Sequence, residues 1–267
     1  MEPVRFGKIF NIEKLMKISV PHILEKIYFS LDYSSFKTCL AVSTDWNELL
    51  SSECFQKLRK GVFGKEIETE LGQALKMYNM EKIHRLVSSN IIDLNYMHKD
   101  VGTPLCVAAD RGDTDLVQIL IEKGAEINAR NGYIYSPLYI AAMEGHLDVV
   151  KVLLDGGARP DNGAEGGITP VHRAASSGHI EVLKLLLERG AQVNPQVTNT
   201  GLTPLHGAAI MGHKDVVKLL LESGADHTMT NLYGDTTRML AEEYGKHMIG
   251  HKDVVDILRQ WEIGWWT

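Results

Sequence analysis

The sequence has little cysteine, no excess of positive charge and no long apolar run. Its three cysteines, Cys39, Cys54 and Cys106, lack the paired spacing of zinc ligands, so we expect reduced thiols packed as small apolar groups. The net charge of −6 gives no general attraction to nucleic acid or to anionic lipid. No stretch approaches the roughly 18 apolar residues of a membrane span, and the charged N-terminus lacks the apolar core of a secretory signal. We therefore expect a cytoplasmic or nuclear protein, or one present in both compartments, with no nucleic-acid or membrane partner.

Motifs of catalytic and cofactor sites are also missing from the sequence. Neither the G-x-S-x-G pattern of hydrolases nor the H-E-x-x-H pattern of zinc proteases occurs. The pair Gly166-Gly167 does not belong to a G-x-x-x-x-G-K-[ST] phosphate-binding loop. The sequence therefore predicts a non-catalytic binding protein with no cofactor, no metal and no small-molecule substrate.

A repeated segment occupies most of the sequence. Four proline-led units follow one another at intervals of 33, 33 and 34 residues, and they begin at Pro104, Pro137, Pro170 and Pro204. Pairs of glycine and alanine, the first at Gly124-Ala125, keep the same spacing. A fixed period of this length is typical of a solenoid that stacks one supersecondary unit per repeat.

Each repeat carries the local signals of two short helices. The residue before each proline can cap a helix whose first position is the proline; these residues are Thr103, Ser136, Thr169 and Thr203. A glycine follows that helix in every unit, as expected for a left-handed helix end, at positions Gly112, Gly145, Gly178 and Gly212. Apolar residues at helical spacing then predict a second helix, which ends at the Gly-Ala pair.

The repeated pattern resembles the ankyrin repeat: T-P-L-H-x-A-A, then G-H, V-V-x-L-L and G-A-D-V-N. This resemblance implies an all-α fold in which about four intact repeats and degenerate terminal repeats form an α-solenoid. We assign residues 66–99 to a degenerate N-terminal repeat and residues 100–231 to four ankyrin repeats. Residues 232–267 form a degenerate C-terminal repeat with a tryptophan-rich tail, which either covers the last repeat or contacts a partner.

Six of the eleven histidines occupy repeat positions: His146, His172, His179, His206, His213 and His251. We expect them to form hydrogen bonds between repeats rather than to bind metal. Tyr139 stands where histidine is usual, so it either packs between repeats or joins Tyr133 and Tyr135 in an exposed cluster. Arg173 either reaches an acidic partner or extends its charged end into water.

Residues 17–60 differ from the repeats and predict a short three-helix unit with surplus apolar surface, after an N-terminal extension of residues 1–16. The unit is similar to an F-box, whose pattern reads here as Val20-Pro21, apolar positions along the first helix, Leu31-Asp32 and Val42-x-x-x-Trp46. Valine stands where the family pattern has leucine. The resemblance implies docking on a Skp-type adaptor, and through it on a cullin, by Val20, Pro21, Ile23, Leu24, Ile27, Leu31, Leu40, Val42 and Trp46.

The ankyrin resemblance also implies a binding face, made by the turn tips and the exposed side of each first helix. Tyrosine, methionine and arginine are the residue types enriched at interface hot spots. The substrate-binding residues predicted in this way are Asp110, Arg111, Tyr133, Tyr135, Met143, Glu144, Ser176, Ser177, Ile210 and Met211.

Together the two resemblances imply a substrate-recognition subunit of an SCF-type cullin-RING ubiquitin ligase, whose partners carry out ubiquitin transfer. One alternative is a non-catalytic ankyrin scaffold or stoichiometric inhibitor unconnected to ubiquitin, in which the N-terminal helices only cap the array. A further alternative is an F-box protein that binds the adaptor without promoting degradation.

Overall fold

The computed structural model describes residues 69–88, 92–130, 135–245 and 251–263. Within these ranges the chain is all-α, with two isolated β-bridges, His98–Gly102 and Thr230–Thr236. After a helical segment over residues 69–76, the helices are α1 (Met80–Ser88), α2 (Pro104–Arg111), α3 (Thr114–Glu122), α4 (Pro137–Glu144), α5 (Leu147–Asp155), α6 (Pro170–Ser177), α7 (Ile180–Glu188), α8 (Pro204–Ile210), α9 (Lys214–Glu222), α10 (Thr237–Tyr244) and α11 (His251–Glu262).

The helices pair into a solenoid. The first helices α2, α4, α6, α8 and α10 pack against one another in sequence, and the second helices α3, α5, α7, α9 and α11 form a parallel row behind them. Each first helix also packs against the second helix of its own repeat. The predicted all-α repeat solenoid is therefore confirmed.

The first helices begin where the sequence places their caps. The Thr103 hydroxyl accepts a hydrogen bond from the Cys106 N–H at 3.3 Å, and the Ser136 hydroxyl accepts one from the Tyr139 N–H at 3.1 Å. The last repeat has Thr237 in place of proline, yet α10 still begins there with Thr236 as its cap. The cap is therefore sufficient to start this helix without a proline.

Glycines end the first helices in the left-handed conformation, as the sequence predicts. Gly112, Gly145 and Gly178 have φ angles of +68°, +79° and +81°. The N–H of each glycine donates to a helix carbonyl four residues earlier, for example Gly145 to Ala141. The chain can then reverse into the second helix within two residues.

The core lies between the two rows of helices. The alanine pairs of the first helices are fully buried, and the missing side-chain bulk lets neighbouring repeats approach closely. The second helices contribute buried leucines, namely Leu120, Leu153, Leu186 and Leu220, all at 0% exposure. Burial of one such leucine is worth about 1.5–3 kcal/mol, so the leucine row is a main source of the array's stability.

Candidate functional site

A ladder of four histidines fixes four of the repeats, each to the one before it. The Nε2 atoms of His146, His179, His213 and His251 lie 3.1, 3.0, 3.0 and 2.7 Å from the carbonyl oxygens of Asp110, Met143, Ser176 and Ile210. The last carbonyls of a helix have no partner within that helix, and the histidine of the next repeat donates to one of them. The predicted hydrogen bonds between repeats are thus confirmed for these four histidines.

The two remaining repeat histidines differ from each other. His172 donates from Nε2 to the Leu202 carbonyl at 3.2 Å, and its Nδ1 accepts from the Thr169 N–H at 3.1 Å. His206 accepts from the Thr203 N–H in the same way, but its Nε2 has no hydrogen-bond partner in the described part of the chain. Only one of the pair forms the bond that the repeat pattern predicts.

The ladder also positions much of the predicted binding face. Asp110, Met143, Ser176 and Ile210, whose carbonyls accept the histidine bonds, occupy equivalent positions on α2, α4, α6 and α8. The residues that follow them are exposed, and these are Arg111, Glu144, Ser177 and Met211. The structure therefore places eight of the ten predicted residues in one row, on a backbone that is held in register.

Several of these side chains already contact other residues of the chain. The Arg111 guanidinium lies 3.9 Å from the centroid of the Tyr78 ring, although about half of its side chain is exposed. Met143 is half-buried because it packs beside Tyr139 and Ile140. The Ser176 hydroxyl donates to the Arg173 carbonyl at 3.2 Å. Glu144, Ser177 and Met211 are also exposed.

The turns between repeats, here called fingers, form the other part of this face. The described fingers span residues 95–102, 162–168, 195–202 and 228–235, and each closes on itself, as where the Val197 N–H donates to the Leu202 carbonyl at 2.9 Å. Successive fingers are also joined, since the Leu232 N–H donates to the Thr200 carbonyl at 2.9 Å. The fingers at residues 162–168, 195–202 and 228–235 are therefore linked to one another by backbone hydrogen bonds.

The tip of the last described finger holds two exposed apolar residues that are not among the predicted binding residues. Leu232 is 66% exposed and Tyr233 is 81% exposed. The available signal was the Asn231-Leu232-Tyr233-Gly234 turn, which puts two large apolar residues at a tip closed by a glycine with φ +87°. With Met211, 56% exposed on the repeat before, they give the face apolar character near its C-terminal end.

Tyr139 packs between repeats, as one of its two predicted roles required. Its side chain is fully buried, and the Tyr135 ring stacks on it with centroids 4.7 Å apart and planes 10° apart. Burial raises the pKa of the Tyr139 hydroxyl, while the hydrogen bond from Arg173 opposes that rise. The Nε–H of Arg173 donates to this hydroxyl, so part of the guanidinium is held by the repeat before it while the side chain stays partly exposed.

A family model described as ankyrin repeats matches the chain in three overlapping copies, over residues 71–164, 138–231 and 195–262. The chain belongs to the ankyrin-repeat family. No F-box model matches residues of the chain, and no curated protein matches it significantly. Ankyrin repeats serve protein–protein interaction, and the proteins built from them are generally non-catalytic binding proteins.

The predicted adaptor-binding residues of the ankyrin protein, from Val20 to Trp46, lie outside the described residues, as does Tyr133.

Cys106 is a buried free thiol whose pKa is raised by burial, as expected for a cysteine used as a small apolar group. Among the described residues, no group of three histidine, cysteine or acidic side chains is arranged to hold a metal ion. None of the helices described combines the length and apolar character needed to cross a membrane.

Proposed function

We propose that the chain is a substrate-recognition subunit of an SCF-type cullin-RING ubiquitin ligase. In this proposal the Val20–Trp46 segment docks on a Skp-type adaptor, and the ankyrin face made by the first helices and fingers binds the substrate protein. The chain itself makes and breaks no bond. Its activity is proximity, because it raises the effective concentration of the substrate near a ubiquitin-charged enzyme held in the same assembly.

The observation that carries the substrate-binding half is a row of exposed side chains on a rigid backbone. The histidine ladder fixes the helix ends that bear Arg111, Glu144, Ser177 and Met211. A binding face that is ordered before the partner arrives loses less conformational entropy on binding. Exposed arginine, methionine and aromatic side chains on such a face are the types that dominate protein interfaces.

The docking half is supported by the sequence of residues 17–60. The paired apolar and proline signals at Val20-Pro21, followed by Leu31-Asp32 and Val42-x-x-x-Trp46, resemble an F-box in order and spacing. A unit of about 40 residues with this much apolar surface rarely buries enough of it alone, which favours a docking partner.

The test is direct binding of the purified chain to a purified Skp-type adaptor by isothermal titration calorimetry. We expect the parent to bind and the double variant Val20→Asp/Trp46→Ala to lose measurable binding, with circular dichroism reporting an unchanged ankyrin array in both. Met211→Asp is the matched control because it places the same charge on the proposed substrate-binding face, and it should bind the adaptor like the parent.

If the well-folded parent does not bind the adaptor, the ligase proposal fails. The chain would then be a non-catalytic ankyrin scaffold or stoichiometric inhibitor. Binding that persists in Val20→Asp/Trp46→Ala would equally contradict the assigned docking surface.

A further inference from the structure

One charged residue interrupts an otherwise apolar series on the first helices. The residue three positions after each first-helix start, which lies between the repeat histidine position and the alanine pair, is Val107, Ile140, Arg173, Gly207 and Leu240 in successive repeats. Val107, Ile140 and Leu240 are buried at 1%, 5% and 6% exposure. Arg173 is half-buried in the same series, on α6. A cation at this position contributes less to packing than the apolar residues do, so its presence calls for a separate explanation.

The Arg173 guanidinium is held in place by the repeat before it. Its Nε–H donates to the Tyr139 hydroxyl, and its central carbon lies 5.4 Å from the Tyr139 ring centroid. Tyr139 is itself immobilised, because it is fully buried and stacked on Tyr135. The arginine therefore has one of its five N–H groups fixed and its orientation restricted.

The rest of the guanidinium has no protein partner in the described ranges. Neither terminal nitrogen of Arg173 makes a hydrogen bond there, and no described carboxylate lies within the 4.0 Å ion-pair distance. The neighbouring elements carry Glu144 at the end of α4 and Glu165 in the adjacent finger, both exposed and neither paired with Arg173. The terminal nitrogens form the fork that binds a carboxylate or phosphoryl group through two parallel hydrogen bonds.

The next repeat has no side chain at the position equivalent to Arg173. Helix α8 packs against α6 and carries Gly207 at the equivalent position. A Cβ atom added to Gly207 would meet only the Ser176 Cβ, at 3.5 Å. Ile210 and Met211 follow on the same helix end, half-buried and exposed respectively. The series thus has a cation on α6 and no side chain at the equivalent position of α8, whose C-terminal end carries apolar residues.

We propose that Arg173 is an anion anchor of the ankyrin face. It binds an acidic side chain in a segment of the partner protein, while an apolar side chain of that segment packs over Gly207 against Ile210 and Met211. The segment therefore carries an acidic residue close to an apolar one. This inference rests on the proposed use of this face for substrate binding and names the substrate chemistry that the face selects. Because Tyr139 orients the arginine beforehand, little side-chain entropy is lost when the anion binds.

The experiment selects random dodecapeptides, displayed on phage, against the purified full-length chain. We expect the selected peptides to share an Asp or Glu beside an apolar residue. A fluorescently labelled peptide of the consensus sequence should bind the Arg173→Gln variant about tenfold more weakly or worse, the scale of one charge-assisted hydrogen-bonded pair. A second peptide, in which Asn or Gln replaces the acidic residue, should bind the parent more weakly by a similar factor. It should bind Arg173→Gln about as weakly as it binds the parent, because both changes remove the same contact.

Three controls make the outcome specific. Arg189→Gln removes an equal charge from an arginine that pairs with Asp155 at 2.7 Å on the side of the second helices, and it should bind the peptide like the parent. Tyr139→Phe keeps the ring and removes the hydroxyl. It should therefore weaken peptide binding, by a factor several-fold smaller than that of Arg173→Gln. A phosphoserine in place of the acidic residue assigns the anion: tighter binding indicates a phosphorylated partner and weaker binding a carboxylate.

The inference is overturned if the selected peptides lack acidic residues, if Arg173→Gln binds them like the parent, or if no binding peptide is recovered. Failure here is separable from failure of the ligase proposal. If the peptides bind Met211→Asp more weakly but bind Arg173→Gln like the parent, the ankyrin face is still a binding surface. Only the role of Arg173 as an anion anchor is then contradicted. Adaptor binding by calorimetry reports the docking half independently, and Arg173→Gln should leave it unchanged.

Discussion

Among single residues, the repeat histidines act as neutral structural groups. His172 is 7% exposed and uses both ring nitrogens, one as donor to Leu202 and one as acceptor from Thr169. Only the neutral ring can do this, because the protonated ring has no acceptor. Burial, the largest cause, lowers the pKa of His172 from 6.5 to about 4, and the nearby Arg173 charge acts in the same direction.

The lowered pKa makes the stability of the array depend on pH. Between pH 6.5 and 4 the unfolded chain binds a proton at His172 and the folded chain does not, so the free energy of unfolding falls as the pH falls. The full loss from this residue is about 3 kcal/mol. His206, whose pKa is also lowered by burial, adds to the same trend. Urea unfolding followed by circular dichroism at pH 7 and pH 4.5 measures the loss.

His172→Gln should unfold more readily than the parent at pH 7, because the bond to Leu202 is disturbed, but its free energy of unfolding should fall less between pH 7 and pH 4.5. His227→Gln is the control for removing a less buried histidine and should keep the parent's profile. An unchanged pH dependence in His172→Gln would contradict the assignment.

At the level of helices, the glycines that end the first helices serve two purposes. Gly145 has φ +79°, and a Cβ atom there would lie 2.6 Å from ring atoms of His179, the histidine that donates to the Met143 carbonyl. Gly124 ends a second helix with φ +85°, yet an added Cβ there meets nothing within 4 Å. Gly124 and Gly145 thus share the left-handed backbone conformation, but only Gly145 has a histidine ring beside it.

This difference predicts unequal effects of the same substitution. Gly124→Ala should reduce the free energy of unfolding by about 1–2 kcal/mol, the cost of a left-handed alanine. Gly145→Ala should lose about 1–3 kcal/mol more, because it also displaces His179 and leaves the Met143 carbonyl unpaired. Urea unfolding of both variants at pH 7 tests the prediction, and equal losses would show that the histidine contact contributes nothing.

Helix starts and ends could be predicted from the sequence because their chemistry is local. Each cap, proline and left-handed glycine acts on backbone groups within about four residues of itself, and the repeat supplies four copies of every signal. The role of Arg173 could not be predicted in the same way. Its partner Tyr139 is 34 residues away, and the hydrogen bond exists only because α4 and α6 pack side by side. The exposure of Leu232 and Tyr233 likewise follows from the shape of a finger, which composition does not determine.

Considered as a whole molecule, the described array is held together by contacts between neighbours. The main contacts of each helix are with helices of its own repeat and of the adjacent repeats. The histidine ladder and a second set of bonds, such as that from the Arg159 N–H to the Asn128 side chain at 3.1 Å, also join successive repeats. Stability in such a solenoid is approximately a sum of repeat terms and nearest-neighbour interface terms. A weakened terminal interface should therefore open its own repeat and leave distant repeats closed.

His251→Ala tests this locality at the C-terminal interface. His251 is 2% exposed and donates to the Ile210 carbonyl at 2.7 Å, so the variant leaves that partly buried carbonyl unpaired at a cost of about 1–3 kcal/mol. Hydrogen–deuterium exchange read by mass spectrometry should be about tenfold faster or more in α10 and α11 and unchanged in α4 to α7. Lys252→Ala, an exposed neighbour on the same helix, should exchange like the parent. Equal acceleration throughout the array would instead mean that it opens as one unit, and a partner bound near Met211 would then stabilise every repeat rather than the last two.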